Sequence, residues 1–435
     1  MPKVIFEDDF LWGASIAAHQ VEGGNDNDWT DWEHQNAVRL AKSANSKFGY
    51  LGDWPKLKKV AEDPKNYVSG SAVNHKKYYK KDFELLKKLN LNTLRFSIEW
   101  SRIEPEEGKF SKAGLQYYKT YLNELKRQGV TPVVTLWHFT LPKWFAAKGG
   151  FEKRANLKDF ERYVGMISKV FGHDFKYVLT MNEPVLYALL GYKEGRFPPQ
   201  KESYFYASRV VLNLTSAHKR AAKILLKFNQ DLKIGVAHNM VDFYGGDESH
   251  STRLNLKILH YLNNNFFLNR TKRHLDFIGV NYYFAERHYG FGPDSDNPDK
   301  NRNDLGWDMQ PARIENVINR VWEKYKLPIL ITENGLADEK DKYRKWWLAE
   351  TLKAMIKLKR SGVDLFGYCH WSLLDNFEWA EGFWPKFGLI AVDRKTQARK
   401  IRPSAKWWAG IMLRIQNPGP RTKPVSTIKE VERLR

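Results

Sequence analysis

The sequence is poor in several features that would each have fixed a class of protein at once. Its 435 residues contain one cysteine, Cys369. No internal disulfide can form, so nothing calls for an oxidising compartment. No run approaches the roughly 18 apolar residues that a membrane span needs. The start, Met1-Pro2-Lys3 leading to Glu7-Asp8-Asp9, has no basic segment followed by an apolar one. No signal peptide is read there, and the expected location is cytoplasmic. No G-x-G-x-x-G fingerprint follows a strand-like run, which argues against dinucleotide binding. The 12 histidines form no H-E-x-x-H pattern, so neither a metal nor a cofactor is expected. Acidic residues are scarce beside basic ones, 50 against 71, for a net charge of +21. That excess would suit an anionic partner. Yet the lysines occur in short scattered clusters, such as Lys76-Lys77 and Lys87-Lys88, with no nucleic-acid motif beside them. The expectation is a basic solvated surface with neither nucleic acid nor a membrane as partner.

What the chain does contain is a repeated alternation. Short β-rich runs cover 11–18, 93–100, 131–138, 177–183, 233–239, 276–283, 328–334 and 365–372. Several are almost unbroken apolar stretches, as expected of strands buried on both faces. Helical patterns separate them at 76–89, 112–128, 156–171, 204–228, 313–325 and 343–360. In one of these, Leu115, Tyr118, Leu122 and Leu125 recur at helical spacing and mark a buried face. Eight strands alternating with helices imply parallel pairing and right-handed crossovers. A single closed (β/α)8 barrel over 1–416 is the leading solution, with 417–435 as a basic C-terminal tail. An open doubly wound sheet is the runner-up. Three connections are long, at 25–70, 284–311 and 374–403, and would lie at the face where barrel enzymes keep their sites.

The strand ends carry chemistry. They finish in Gln20, Trp100, His138, Asn182-Glu183, Asn281 to Tyr283, Glu333-Asn334 and Trp371. In a barrel all of these ends share one face. Glu183 closes the fourth run in Thr180-Met181-Asn182-Glu183-Pro184, and Glu333 the seventh in Ile331-Thr332-Glu333-Asn334-Gly335. The fourth and seventh strands stand across the cylinder from each other. Glycoside hydrolysis needs one carboxylic acid to protonate the leaving oxygen and a second carboxylate on the other side of the anomeric carbon. A lone glutamate at a strand end is usually a structural ion pair. Two, each beside an asparagine and each followed by a helix breaker, are harder to ascribe to chance.

These segments resemble the T-x-N-E-P and I/V-T-E-N-G motifs of glycoside hydrolase family 1, the β-glucosidase family. The resemblance runs from about Phe10 to Trp408. It also takes in Phe10-Leu11-Trp12-Gly13-Ala14, Gln20-Val21-Glu22-Gly23, Arg95 to Arg102 and Trp371 to Trp379. It implies a retaining β-glycosidase with Glu183 as acid/base and Glu333 as nucleophile, their carboxyl groups about 5–5.5 Å apart. Ionised Glu333 would then raise the pKa of Glu183. Arg95, Asn182 and Tyr283 correspond to the supporting cation, the amide on the sugar 2-hydroxyl and the phenol on the nucleophile. Gln20, His138, Asn281, Trp371, Glu378 and Trp379 match substrate-binding positions, and Trp307 the aromatic platform of the leaving-group side. Glu378 stands where members acting on 6-phosphorylated sugars carry small and basic residues. The implied substrate is a non-phosphorylated β-glucoside, with β-fucosides or β-galactosides as further candidates. His19 and Phe139 depart from the family's usual residues. A transglycosidase, or a non-catalytic carbohydrate- or anion-binding barrel, remain the alternatives.

Overall fold

The computed structural model describes residues 6–294, 301–416, 425 and 427–434. Eight parallel strands close into a barrel: β1 (Leu11–Ser15), β2 (Thr93–Ser97), β3 (Thr131–Thr135), β4 (Tyr177–Asn182), β5 (Lys233–Asn239), β6 (Ile278–Tyr282), β7 (Ile329–Asn334) and β8 (Leu365–Trp371). Each strand pairs with its neighbours in sequence, and β1 closes the ring against β8. The closed solution therefore holds and the open sheet does not. Leu11, Val133, Leu179, Ala237, Phe277 and Leu330 fill one layer inside the cylinder. Stacked side chains make the barrel a packed core and leave its C-terminal face to carry a site.

The helical periodicities correspond to helices at His75–Lys88, Lys112–Arg127, Leu157–Phe171, Tyr204–Phe228, Ile314–Tyr325 and Arg344–Arg360. Most strands stop short of their sequence patterns. The first run leaves the ladder at Ser15, the second at Ser97 and the third at Thr135. Gln20 accordingly lies in a one-turn helix, Ala18–Val21, beyond the strand. Two irregularities matter more. The ladder shifts register between Leu179 and Asn182 in β4, and between Ile331 and Glu333 in β7. Such shifts re-aim side chains, and these fall immediately before the two asparagine–glutamate pairs.

The long first connection is largely helical. Asp28–Phe48 runs for 21 residues, followed by Trp54–Ala61. Asn27 starts the longer helix: its side chain accepts from the Thr30 amide at 3.1 Å, and Thr30 Oγ1 receives the Asn27 amide at 3.1 Å. This reciprocal cap satisfies two donors that a helix start otherwise leaves open. Phe48, Leu51 and Trp54 pack with Leu305, Trp371, Trp384 and Phe387, and Tyr283 and Trp307 lean on the same cluster. The first, sixth and eighth connections thus form one wall. Of the expected tail, 417–424, 426 and 435 lie outside the described residues. Ile428–Leu434 is helical, buries Val431 and meets the Arg344–Arg360 helix.

Candidate active site

A pocket of about 240 Å³ sits at the C-terminal face of the barrel. Glu183, Glu333, Asn182, His138, Tyr283, Trp371, Glu378, Trp379 and Trp307 all line it. Arg95 and Asn281 stand immediately behind, bonded to these residues, and Gln20 is bonded to the chain carrying Glu378. Every residue matched to a site role therefore belongs to one neighbourhood, whereas Trp100, another of the strand ends, packs against Phe145 and Tyr163.

The two glutamates sit in opposite settings. Arg95 donates through Nη1 to Glu333 Oε1, and Tyr283 OH donates to Glu333 Oε2 at 2.5 Å. The guanidinium is held by two further acceptors, Thr135 Oγ1 at 3.0 Å and Asn182 Oδ1 at 2.7 Å. Burial, then the charge of Glu333, keeps the Tyr283 phenol far above its ordinary pKa, so it stays a donor. The Glu183 carboxyl group accepts from Asn281 Nδ2 at 2.7 Å. Its pKa is pushed up to about 8, first by burial and second by the charge of Glu333. The expected influence of Glu333 is present, but desolvation is the larger cause.

A chain of amides orients the rest. Thr332 Oγ1 donates to Asn281 Oδ1 at 2.6 Å, which turns the Asn281 amino group towards Glu183 and towards Asn182 Oδ1 at 3.1 Å. With its oxygen taken by Arg95 and Asn281, Asn182 presents its amino group to His138 Nε2 at 3.1 Å. That nitrogen must then accept, which puts the ring proton on Nδ1. Burial and the Arg95 charge hold His138 far below its ordinary pKa, so the imidazole is neutral. Its Nδ1 has no hydrogen-bond partner among the described residues, nor do Gln20 Oε1 and Glu378 Oε2. Buried polar atoms are rarely left unpaired. Here three of them cluster in and beside one pocket, where sugar hydroxyls would complete them. His138 also stacks between Trp371 and Trp379, with centroids at 6.0 and 5.8 Å.

Burial, followed by the charges of Glu333 and Glu381, raises the pKa of Glu378 to about 8. At neutral pH it is a neutral acid that can donate as well as accept, rather than a carboxylate.

The local backbone explains the motifs. Glu183 has φ of 44°, in the left-handed region, and Pro184 follows as the first residue of a helical turn. Proline is thus a helix starter here, suited by its fixed φ, and not a breaker. Gly335 is no breaker either. A Cβ there would lie 1.8 Å from the Trp371 carbonyl oxygen. Glycine is required because β7 and β8 approach so closely at their ends.

Sequence reasoning passed over Leu186, Leu190, Phe197, Phe284 and Leu305, which line the pocket together with Phe139. They sit in connections, where no periodicity marks an inward face. Leu190 enters through a π-helical turn, Leu189–Lys193. The departure at His19 has a structural role: its Nε2 meets Glu33 at 2.6 Å, and its ring lies parallel to Trp379 at 5.6 Å.

Two buried glutamates in contrasting settings, Glu333 against the Arg95 guanidinium and Glu183 against the Asn281 amide, share an aromatic-walled pocket on a closed barrel, and that pairing suits a glycoside hydrolase. Known proteins agree. The family model described as glycosyl hydrolase family 1 matches residues 3–273 and 268–416. Beta-glucosidase A of Thermotoga maritima is 31% identical, covering 94% of this chain and 97% of its own. A beta-galactosidase of Pyrococcus woesei is 28% identical over 91% of this chain. Among solved structures, a beta-glycosidase from Pyrococcus horikoshii superposes with a TM-score of 0.83 at 33% identity, covering 95% of each chain. The Thermotoga maritima beta-glucosidase in complex with glucoimidazole gives 0.82 at 29% identity, covering 93% of this chain and 98% of its own. The chain belongs to glycosyl hydrolase family 1. It is a retaining β-glycosidase.

Proposed function

We propose that this enzyme hydrolyses non-phosphorylated β-D-glucosides, with β-galactosides and β-fucosides as further substrates, and that Glu333 and Glu183 carry the two steps. Glu333, held by Arg95 and Tyr283, attacks the anomeric carbon. Glu183 gives its proton to the departing oxygen, so the leaving group departs as a neutral alcohol and a glycosyl ester forms on Glu333. Esterification removes the Glu333 charge. Glu183, now ionised, takes a proton from water as the water attacks the anomeric carbon and displaces the Glu333 carboxylate. The sugar leaves with its configuration retained, and both carboxyl groups return to their starting states.

The observation that carries this reading is the electrostatic contrast: one buried glutamate paired with a cation, the other protonated up to about pH 8. In this reading Asn182, Gln20, His138, Asn281, Glu378 and Trp379 hold the sugar, and Trp371 floors the ring. Trp307, with Phe284 and Leu305, faces the leaving group. The names of the relatives support gluco- and galacto-configured substrates. A complex of one structural relative with glucoimidazole supports a small sugar ligand.

The test is a panel of nitrophenyl α- and β-glycosides, including 6-phosphates, with NMR of the first-formed anomer. Turnover of the β-glucoside to β-glucose is expected. An α product would overturn the two-step mechanism. Glu333→Gly should lose hydrolysis by roughly four orders of magnitude or more. Azide should then restore cleavage of an activated glucoside and yield the α-azide. Near-parental hydrolysis by that variant would remove Glu333 from its role.

A further inference from the structure

Among the described residues, eleven of the fifteen large apolar side chains left exposed fall between Tyr204 and Phe291. Five lie on the Tyr204–Phe228 helix: Tyr204, Phe205, Leu212, Leu226 and Phe228. Four lie on the next helical segment, in His250–Leu259 and the π-helical turn His260–Asn265 that continues it. These are Leu254, Ile258, Tyr261 and Leu262, at i, i+4, i+7 and i+8, one outward face of a helix. The opposite face buries Thr252, Asn255 and Asn264. Tyr289 and Phe291 complete the set from a hairpin tied to this helix, where Asn255 Nδ2 donates to the Gly290 carbonyl at 3.0 Å. The two helical segments follow consecutive barrel strands, β4 and β5. They touch through the Phe266–Thr271 helix, so the apolar groups share one side of the barrel.

The same two segments, 204–228 and 250–273, contain ten lysines and arginines and no aspartate or glutamate. They therefore carry nearly half of the net charge of +21. Arg209, Lys223, Lys227, Arg253, Lys257, Arg270, Lys272 and Arg273 are exposed. The nearest acidic contributions come from other elements: Glu161 pairs with Arg220 at 2.6 Å, and Glu248 lies 3.6 Å from Arg253.

We propose that this side of the barrel docks on the surface of an anionic lipid bilayer. Exposed leucine, isoleucine and aromatic side chains interleaved with basic ones are the pattern of helices that lie in the bilayer interface. A second copy fits less well, because it would set ten positive charges against ten. Nucleic acid would use the charge and leave the apolar stripe without a role. The expectation of no membrane partner rests on lysines scattered along the sequence, whereas the fold gathers basic residues of two helical segments on one side. No helix among the described residues is long and apolar enough to cross a membrane, and docking needs none.

The experiment is flotation of the whole enzyme with vesicles of phosphatidylcholine alone or mixed with phosphatidylglycerol. Binding to the mixed vesicles is expected, falling about tenfold from low to high salt. Ile258→Ser with Leu262→Ser should weaken it about tenfold or more through lost apolar burial. Lys223→Glu with Lys257→Glu should weaken it similarly. Both variants should hydrolyse soluble nitrophenyl β-glucoside at the parental rate, since none of the four residues lines the pocket. Absence of vesicle binding, equal binding to phosphatidylcholine alone, or binding untouched by both pairs of changes would overturn the proposal. So would a dimer that dissociates on Ile258→Ser with Leu262→Ser, or binding to duplex DNA in place of vesicles.

Discussion

Arg95, on β2, donates to the carboxylate of Glu333, on β7, from a position with no solvent exposure. The same guanidinium donates to Asn182, so one cation fixes the proposed nucleophile and the amide assigned to the sugar 2-hydroxyl. Arg95→Met should lower kcat/KM by roughly 10²–10³, in line with the removal of a donor from a buried reacting site. It also leaves Glu333 buried without its cation, which costs about 3–5 kcal/mol of stability. Steady-state kinetics and thermal melting check the two effects separately. An Arg95→Met enzyme within tenfold of the parent would contradict the assignment.

The pH dependence follows from Glu183. The proposed mechanism needs Glu183 protonated for the first step, and its pKa is raised from 4.5 to about 8. The alkaline limb of kcat/KM should therefore fall near pH 8. The Asn281 hydrogen bond is a lowering influence on that pKa. Asn281→Leu should move the limb to higher pH while reducing the rate.

Stability carries the same signature. Between pH 4.5 and about 8 the folded enzyme keeps a proton that the unfolded chain has released. This linkage makes stability decline as pH rises through that window and levels it above. Glu183→Gln should remove its own share of the decline, to which the raised Glu378 and Asp28 also contribute. It should melt higher than the parent at pH 8 and little differently below pH 4.5. Parallel melting curves across the range would contradict the placement of the acid.

Glu378 gives a specificity test. Its Oε2 lacks a protein partner among the described residues, and its acid is neutral up to about pH 8. Glu378→Ala should raise KM for the β-glucoside by roughly ten- to a hundredfold, the effect of about 1.5–3 kcal/mol of hydrogen bonding. It should not create turnover of the 6-phosphate, since the change supplies no cation. Substrate titrations on both glycosides decide this.

Gly335 tests the scaffold. Gly335→Ala would push a methyl group to 1.8 Å from the Trp371 carbonyl, a backbone atom that cannot turn aside. A shift at the end of β7 carries Glu333 with it. Loss of at least tenfold in kcat, with soluble folded protein retained, is the expected outcome.

Much of this was legible in the residues because barrel and site obey simple rules. Strand–helix alternation gave the closed cylinder, since parallel strands need crossovers. Asn182-Glu183 and Glu333-Asn334 were readable because buried strands rarely end in carboxylates without a reason. Legibility failed where the chain leaves the ladder. Gln20 looks like a strand end but lies in a helical turn, because the ladder stops at Ser15. The first long connection shows only its length in the sequence, although Asn27 and Thr30 cap a 21-residue helix in it. The protonation of Glu378 depends on burial by segments remote in sequence, which no local pattern encodes.

Phe139, Glu183 and Trp379 all have positive φ, and all line the pocket. Glycine or asparagine would rest more comfortably at each of these corners. Catalytic shape and comfort of the chain are therefore at odds in three places at once. A lineage bred in the laboratory for heat resistance alone should drift towards glycine at those corners and fall silent. One bred for turnover must go on holding them taut.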